Sequence, residues 1–361
     1  MKRTQALHDA GQSIWLDNIT RALLDRGILD RYIARYSVTG LTSNPTIVDN
    51  AIKEGTDYDT DIAARKAAGA SDEEVVFELA LSDLRRAADK FAPVYARTDG
   101  VDGWVSLEVS PLLARDAPST IEEATALCRK GARGNLFIKI PGTAEALPAI
   151  EECIYSRVPV NVTLLFSAEQ YEAAAEAYLR GVERRIQAGK NPAVASVASL
   201  FVSRWDTAAA GRVPEELRGR LGIAVARQAY RAYRELLDSP RWGRLANEGA
   251  RPQRLLWAST SVKDPEAPDV LYGNALAAPL TVNTMPEHTL EAFADHGEVG
   301  ELLPADGGDA DEVIAAFAKA GIDTESLADE LQQDGAEAFV ASWKDLLARV
   351  GSRHEQLSRM R

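Results

Sequence analysis

Short apolar runs recur along the chain, and each is followed by a longer stretch with apolar residues in helical spacing. The runs at 14–16, 37–39, 104–108, 136–140, 158–162, 193–198, 255–258 and 280–283 are expected as strands. Several are too apolar to have one face in water, which suits parallel strands covered by helices on the outside. Helix starts are marked between them. Ser71-Asp-Glu-Glu74 and Ser167-Ala-Glu-Gln170 both read as capping boxes, in which each partner satisfies a backbone amide of the other. Val75, Val76, Leu79 and Leu84 follow the first at helical spacing, and Leu147, Ile150 and Ile154 follow Thr143 in the same way. Eight strands alternating with helices predict an α/β fold, a (β/α)₈ TIM barrel rather than an open sheet.

The segment Leu303-Pro-Ala-Asp-Gly-Gly-Asp-Ala310 breaks this rhythm, and helical patterns follow at 311–320 and 326–350. They are expected as C-terminal helices packed on the barrel, a helical extension of about 305–361 within one domain spanning 1–361. Phe339, Trp343 and Leu347 recur every four residues and read as core packing, as do Tyr171 and Tyr178.

Composition narrows the chemistry. With 361 residues, 46% of them hydrophobic, the chain can bury a large core. Its net charge of −13 and the lack of a dense Lys/Arg tract argue against nucleic acid or an anionic membrane as a partner. Any phosphorylated ligand needs a local cationic pocket within an acidic surface. Cys128 and Cys153 read as small apolar side chains of a protein in a reducing compartment. No apolar signal core follows Met1 and no run is long enough to span a bilayer, so a cytoplasmic location is expected. The four histidines are scattered, and no metal-ligand cluster is expected.

In a barrel of this kind, reacting groups project from the C-terminal ends of the strands. Asp17, Asn44, Glu108, Lys139, Asn161, Thr163, Ser199 and Ser259 each end or follow an apolar run. Lys139 is the most telling, because an unpaired buried ammonium is costly and desolvation favours the free amine. A free amine attacks carbonyl carbons. Simpler roles exist for some of these residues. Lys139 can extend from its strand end to solvent, Asp17 can cap a helix over 19–24, and Arg204 can pair with Asp206.

Seven segments together resemble the transaldolase family. They are Trp15-Leu-Asp17, Gly40-Leu-Thr-Ser-Asn-Pro-Thr46, Ser106-Leu-Glu-Val-Ser110, Phe137-Ile-Lys-Ile-Pro-Gly-Thr143, Val160-Asn-Val-Thr-Leu-Leu-Phe-Ser167, Ser199-Leu-Phe-Val-Ser-Arg204 and Leu256-Trp-Ala-Ser-Thr260. The resemblance implies a (β/α)₈ barrel of the pentose phosphate pathway that needs no metal and no organic cofactor. It assigns Lys139 as the Schiff-base nucleophile, Asp17 as the base at the C4 hydroxyl, and Glu108 with Thr163 as a proton shuttle through a water. Asn44, Asn161 and Ser199 are assigned to the hydroxyls of a dihydroxyacetone unit, and Arg204 and Ser259 to phosphate.

Related fructose 6-phosphate aldolases tend to carry glutamine at the position of Glu108 and tyrosine at that of Phe201, so transfer is expected rather than cleavage. Many transaldolases have a second phosphate-binding arginine where this chain has Ser261; Lys263 is expected to supply that charge, without the guanidinium fork. The implied substrates are sugar phosphates, and the oligomeric state is left open between monomer and homodimer. Some transaldolases are fused to a phosphoglucose isomerase, a second domain for which the 361 residues leave no expected room.

Overall fold

The computed structural model describes residues 2–359. Eight parallel strands close into a barrel in chain order, with β8 pairing back on β1. They are β1 (Gln12–Asp17), β2 (Val38–Thr42), β3 (Trp104–Glu108), β4 (Leu136–Pro141), β5 (Val160–Leu165), β6 (Ser196–Phe201), β7 (Gln253–Ala258) and β8 (Thr281–Met285). All eight predicted strands are present, but several are displaced toward their C-terminal ends. The strand expected at 158–162 occupies Val160–Leu165, and the one expected at 193–198 occupies Ser196–Phe201. The apolar pattern stops at the first polar residue, whereas the hydrogen-bonded ladder continues through it. At two other expected starts Ser37 (φ 55°) and Leu280 (φ 63°) are left-handed, and the strands begin at the next residue, Val38 and Thr281.

The helix signals resolve in detail. Ser71 and Glu74 form the reciprocal box, with Glu74 N donating to Ser71 Oγ (3.2 Å) and Ser71 N to Glu74 Oε2 (2.8 Å). The second box is only half made. Gln170 N donates to Ser167 Oγ (3.1 Å), but Gln170 Oε1 accepts from Phe166 N (2.8 Å) instead of Ser167 N. After β1 the helix cap is Thr20, which accepts from Leu23 N at 3.1 Å, so the capping role considered for Asp17 is already filled.

A polar cluster anchors the N-terminal end of the barrel. Asp102 accepts from Ser13 Oγ (2.5 Å) and Trp15 Nε1 (3.0 Å), and Arg254 donates to Ser13 Oγ (2.5 Å) and to the carbonyls of Val101 and Thr281. Above it Trp15, Trp104 and Phe137 fill the interior, the last two stacked at 4.1 Å. The strand C-terminal ends therefore stand above a layer of packed aromatic rings.

On the outside, the helix Ala117–Gly131 carries Glu123, whose carboxylate accepts from Ser110 N (2.5 Å), just beyond Glu108. Burial pushes the Glu123 carboxyl up to about 7, with Glu73 adding to the shift and the Ser110 amide opposing it. A carboxyl raised in the folded state contributes stability that is present below its unfolded pKa of about 4.3 and lost as pH rises toward 7. Glu123→Gln is therefore expected to flatten the fall in unfolding free energy between about pH 4.3 and pH 7, by on the order of 1 kcal/mol after solvent screening. Denaturant melts across that range check this, and an undiminished fall in the variant would show that Glu123 is not responsible.

The helices expected at 311–320 and 326–350 are Ala310–Lys319 and Thr324–Arg359. The second crosses the C-terminal face of the barrel. Gln332 Nε2 donates to the carbonyl of Leu164 (2.9 Å) and Gly142 (3.3 Å), and Thr46 Oγ1 donates to Ser342 Oγ (3.1 Å). Arg353 pairs with Asp59 (2.6 Å), and Arg349 with Asp49. Gly335 allows the approach, because a Cβ there would lie 3.0 Å from both Leu164 Cδ2 and Arg204 Nη1. Glycine inside a helix costs about 1 kcal/mol relative to alanine, which the close packing offsets.

Candidate active site

Strand register assembles the site. Glu108 on β3 pairs with Lys139 on β4, which pairs with Asn161 on β5, while Asp17 on β1 lies beside Thr42 on β2. Lys139 is buried, with its Nζ 3.1 Å from Glu108 Oε1 and 3.1 Å from the Ser43 carbonyl, to which it donates. The lysine expected to be unpaired thus has a carboxylate partner. The contact with Glu108 is close without being aligned as a hydrogen bond, and both Glu108 oxygens and Thr163 Oγ1 have no hydrogen-bond partner. Those orphaned atoms face a cavity of about 20 Å³ bordered by Glu108, Thr163 and Phe339, sufficient for a water molecule.

Two buried carboxylates flank this one ammonium. Burial raises both acids above the usual carboxylate range; Lys139 opposes the shift at each, and Thr42 Oγ1, donating to Asp17 Oδ1 at 2.7 Å, also opposes it at Asp17. Thr42 Oγ1 also shares a hydrogen bond with Thr284 Oγ1 (2.7 Å), which ties the Asp17 partner to β8. The arrangement can exchange protons between Lys139 and Glu108 at short range while holding Asp17 ready as a separate base.

A cavity of about 1090 Å³ opens above these groups. Asp17, Asn44, Lys139, Thr163, Ser199, Phe201, Arg204, Ser259 and Lys263 all border it. Asn161 does not. It lies fully buried beneath the wall, donating to Ser106 Oγ (3.2 Å) and accepting from Ser199 Oγ (2.7 Å), so its amide orients Ser199. Asn44 Oδ1 caps the helix Pro45–Glu54 by accepting from Ile47 N, leaving its amide nitrogen for the cavity.

At the far side Arg204 lies over the Phe201 ring, with Cζ 5.1 Å from the centroid, and makes no ion pair among the described residues. The pairing with Asp206 is not formed, because Asp206 accepts from Leu221 N, Gly222 N and Tyr272 Oη. Burial lowers the pKa of Arg204, and the carboxylate of Asp334 opposes that shift. Lys263 Nζ donates to Ser261 Oγ (2.7 Å), and Ser203 and Ser259 share a hydrogen bond (2.9 Å). Arg204, Lys263, Ser203, Ser259 and Ser261 all border the cavity and supply two cations and three hydroxyls to it, groups of the kind that can bind an anion.

The family described as Transaldolase/Fructose-6-phosphate aldolase matches residues 14–350. The chain belongs to this family. Among curated relatives named Transaldolase, the one from Thermobifida fusca (strain YX) is 48% identical over 355 residues, covering 96% of each chain. That of Arthrobacter sp. (strain FB24) is 47% identical over 356 residues, with 96% of each covered. That of Acidothermus cellulolyticus is 46% identical over 363 residues, with 98% of each covered.

Sequence reading of this transaldolase-family chain passed over several cavity residues. Thr42 and Thr284 lie at strand ends but read locally as ordinary β-formers, and Asp334 belongs to a long helix with no motif. Phe339 reads as core packing. Its neighbour in the pattern, Trp343, is indeed buried against Phe77 (5.2 Å), and Phe339, partly buried against the core, also borders the cavity. Among the described residues no helix is long and apolar enough to cross a membrane.

Proposed function

We propose that the protein is a transaldolase, moving a dihydroxyacetone unit from sedoheptulose 7-phosphate to glyceraldehyde 3-phosphate to give erythrose 4-phosphate and fructose 6-phosphate. The observation that carries this reading is the buried Lys139–Glu108 contact of 3.1 Å, made by a lysine that borders the large cavity together with Asp17. Lys139 passes a proton to Glu108, and its free amine attacks the C2 ketone of the donor. Glu108, with Thr163 and a water in the small cavity, returns protons as the carbinolamine loses water to become an imine. Asp17 then takes the proton of the C4 hydroxyl. The C3–C4 bond breaks, its electron pair enters the protonated imine, and an aldose phosphate leaves. Ser199, held by Asn161, and Asn44 bind the hydroxyls of the retained enamine. Addition of C3 to the acceptor aldehyde and reversal of the earlier steps release the new ketose.

Arg204, Lys263 and Ser259 hold the phosphate, with Lys263 supplying the charge of the second arginine whose usual position Ser261 occupies. No metal or organic cofactor enters these steps. Residues 305–361 act with the barrel as one catalytic unit, working in the cytoplasm on sugar phosphates. Glu108 and Phe201, in place of the glutamine and tyrosine of related aldolases, favour transfer over cleavage. Supplying fructose 6-phosphate with and without erythrose 4-phosphate tests this. Glyceraldehyde 3-phosphate release is expected to depend on the acceptor, and rapid release without it would refute transfer.

A further inference from the structure

The C-terminal helix Thr324–Arg359 carries Phe339 over the reacting lysine, with the ring centroid 6.0 Å from Lys139 Nζ. This ring borders both the large substrate cavity and the small cavity that Glu108 and Thr163 share. It therefore adjoins both the space for substrate and the groups that move protons at the imine. The helix holds it in place, tied to the barrel mouth by Gln332 through Leu164 and Gly142, and to the helices Pro45–Glu54 and Asp59–Ala67 by Arg349 and Arg353. Gly335, one turn away, lets that contact form at close range.

We propose that Phe339 is a specificity-determining residue that keeps proton-donating water from C3 of the enamine on Lys139 and so favours transfer over net cleavage. The inference rests on the Schiff-base reading above. After C3–C4 cleavage the enamine has two exits. In transfer, C3 bonds to the acceptor carbonyl carbon, whose oxygen takes the proton held by Asp17. In leakage, C3 takes a proton instead, water adds to C2, and the C2–N bond breaks to release dihydroxyacetone and the free amine. The water consumed replaces the one lost when the imine formed, so the net leak is ketose phosphate giving aldose phosphate and dihydroxyacetone. An apolar ring at this position hinders a water from reaching C3 and delivering a proton there, the step at which the two exits part, and offers a π face to the cationic imine.

The test measures dihydroxyacetone release from fructose 6-phosphate without acceptor, and transfer with erythrose 4-phosphate, using the full chain. Phe339→Ala is expected to raise the ratio of release to transfer by about 10-fold or more, while Phe339→Leu, which keeps apolar bulk, stays within about threefold of the parent. Phe339→Gln, similar in reach but polar, is expected to leak as well and serves if the alanine variant does not fold. An unchanged ratio in the alanine and glutamine variants, or equal falls in both rates, overturns the proposal. A leak in Phe339→Leu as large as that in Phe339→Ala overturns water exclusion as its cause. Borohydride trapping of the parent separates the two readings. No adduct at Lys139 would remove the covalent mechanism itself, whereas an adduct with an unchanged ratio would remove only the role of Phe339.

Discussion

Lys139→Ala is expected to lower turnover by roughly 10⁴-fold or more and to abolish the adduct that borohydride traps with substrate. The remaining polar groups of the cavity do not offer an equivalent amine. Arg204 carries a guanidinium that stays protonated, and Lys263 lies at the phosphate end, bonded to Ser261. Folding is expected to survive, because the truncated side chain enlarges an existing polar cavity instead of opening a void in the apolar core. The loss of its cation leaves Asp17 and Glu108 buried together, both already raised by desolvation. Their protonated forms are then the stable ones, so melts of the variant should lose more stability than the parent as pH rises. Mass mapping after trapping and a circular dichroism melt check these outcomes together. Retained turnover would place the nucleophile elsewhere.

Asp17→Asn is expected to lower turnover by about 10²–10⁴-fold while the trapped adduct on Lys139 still forms. The amide keeps the shape and can still accept from Thr42, but it cannot take the C4 hydroxyl proton. Imine formation depends on Glu108 and Lys139, which the substitution leaves in contact. The enzyme should therefore stop after condensation, with donor carbons held on the lysine and little aldose phosphate released. Single-turnover trapping against time separates the steps, and simultaneous loss of adduct and product would show that Asp17 acts before cleavage. The opposite order of loss is expected for Glu108→Gln, which impairs proton return during imine formation.

Much of this architecture is legible in local pattern. Parallel strands buried on both faces are apolar throughout, so runs such as Leu136–Pro141 stand out from the helices around them. The polar residue that interrupts or ends such a run is equally visible, since a charge there is unfavourable without a role; Asp17, Glu108 and Lys139 are recognised in this way. Helix caps depend on contacts within a few residues, which is why the Ser71–Glu74 box is readable in advance.

What local sequence left undecided depends on register and on distant packing. Lys139 reads as unpaired because nothing in its own segment shows that β3 places Glu108 beside it. Asn161 reads as a cavity residue, yet β5 directs it beneath the wall, where it orients Ser199. Thr163 precedes left-handed Leu164 (φ 61°), and the pairing of β5 with β6 shifts between Val162 and Leu165, an irregularity that alternation of apolar residues does not encode. Phe339 and Trp343 share one periodic pattern and separate only when the last helix crosses the barrel mouth, burying one ring and turning the other toward the lysine. The sequence by itself determined the barrel, its strand count and the polar side chains at the strand ends, because periodicity and burial preference act over short stretches. Only the tertiary structure decided which groups meet, because strand register and helix docking join residues far apart in the chain.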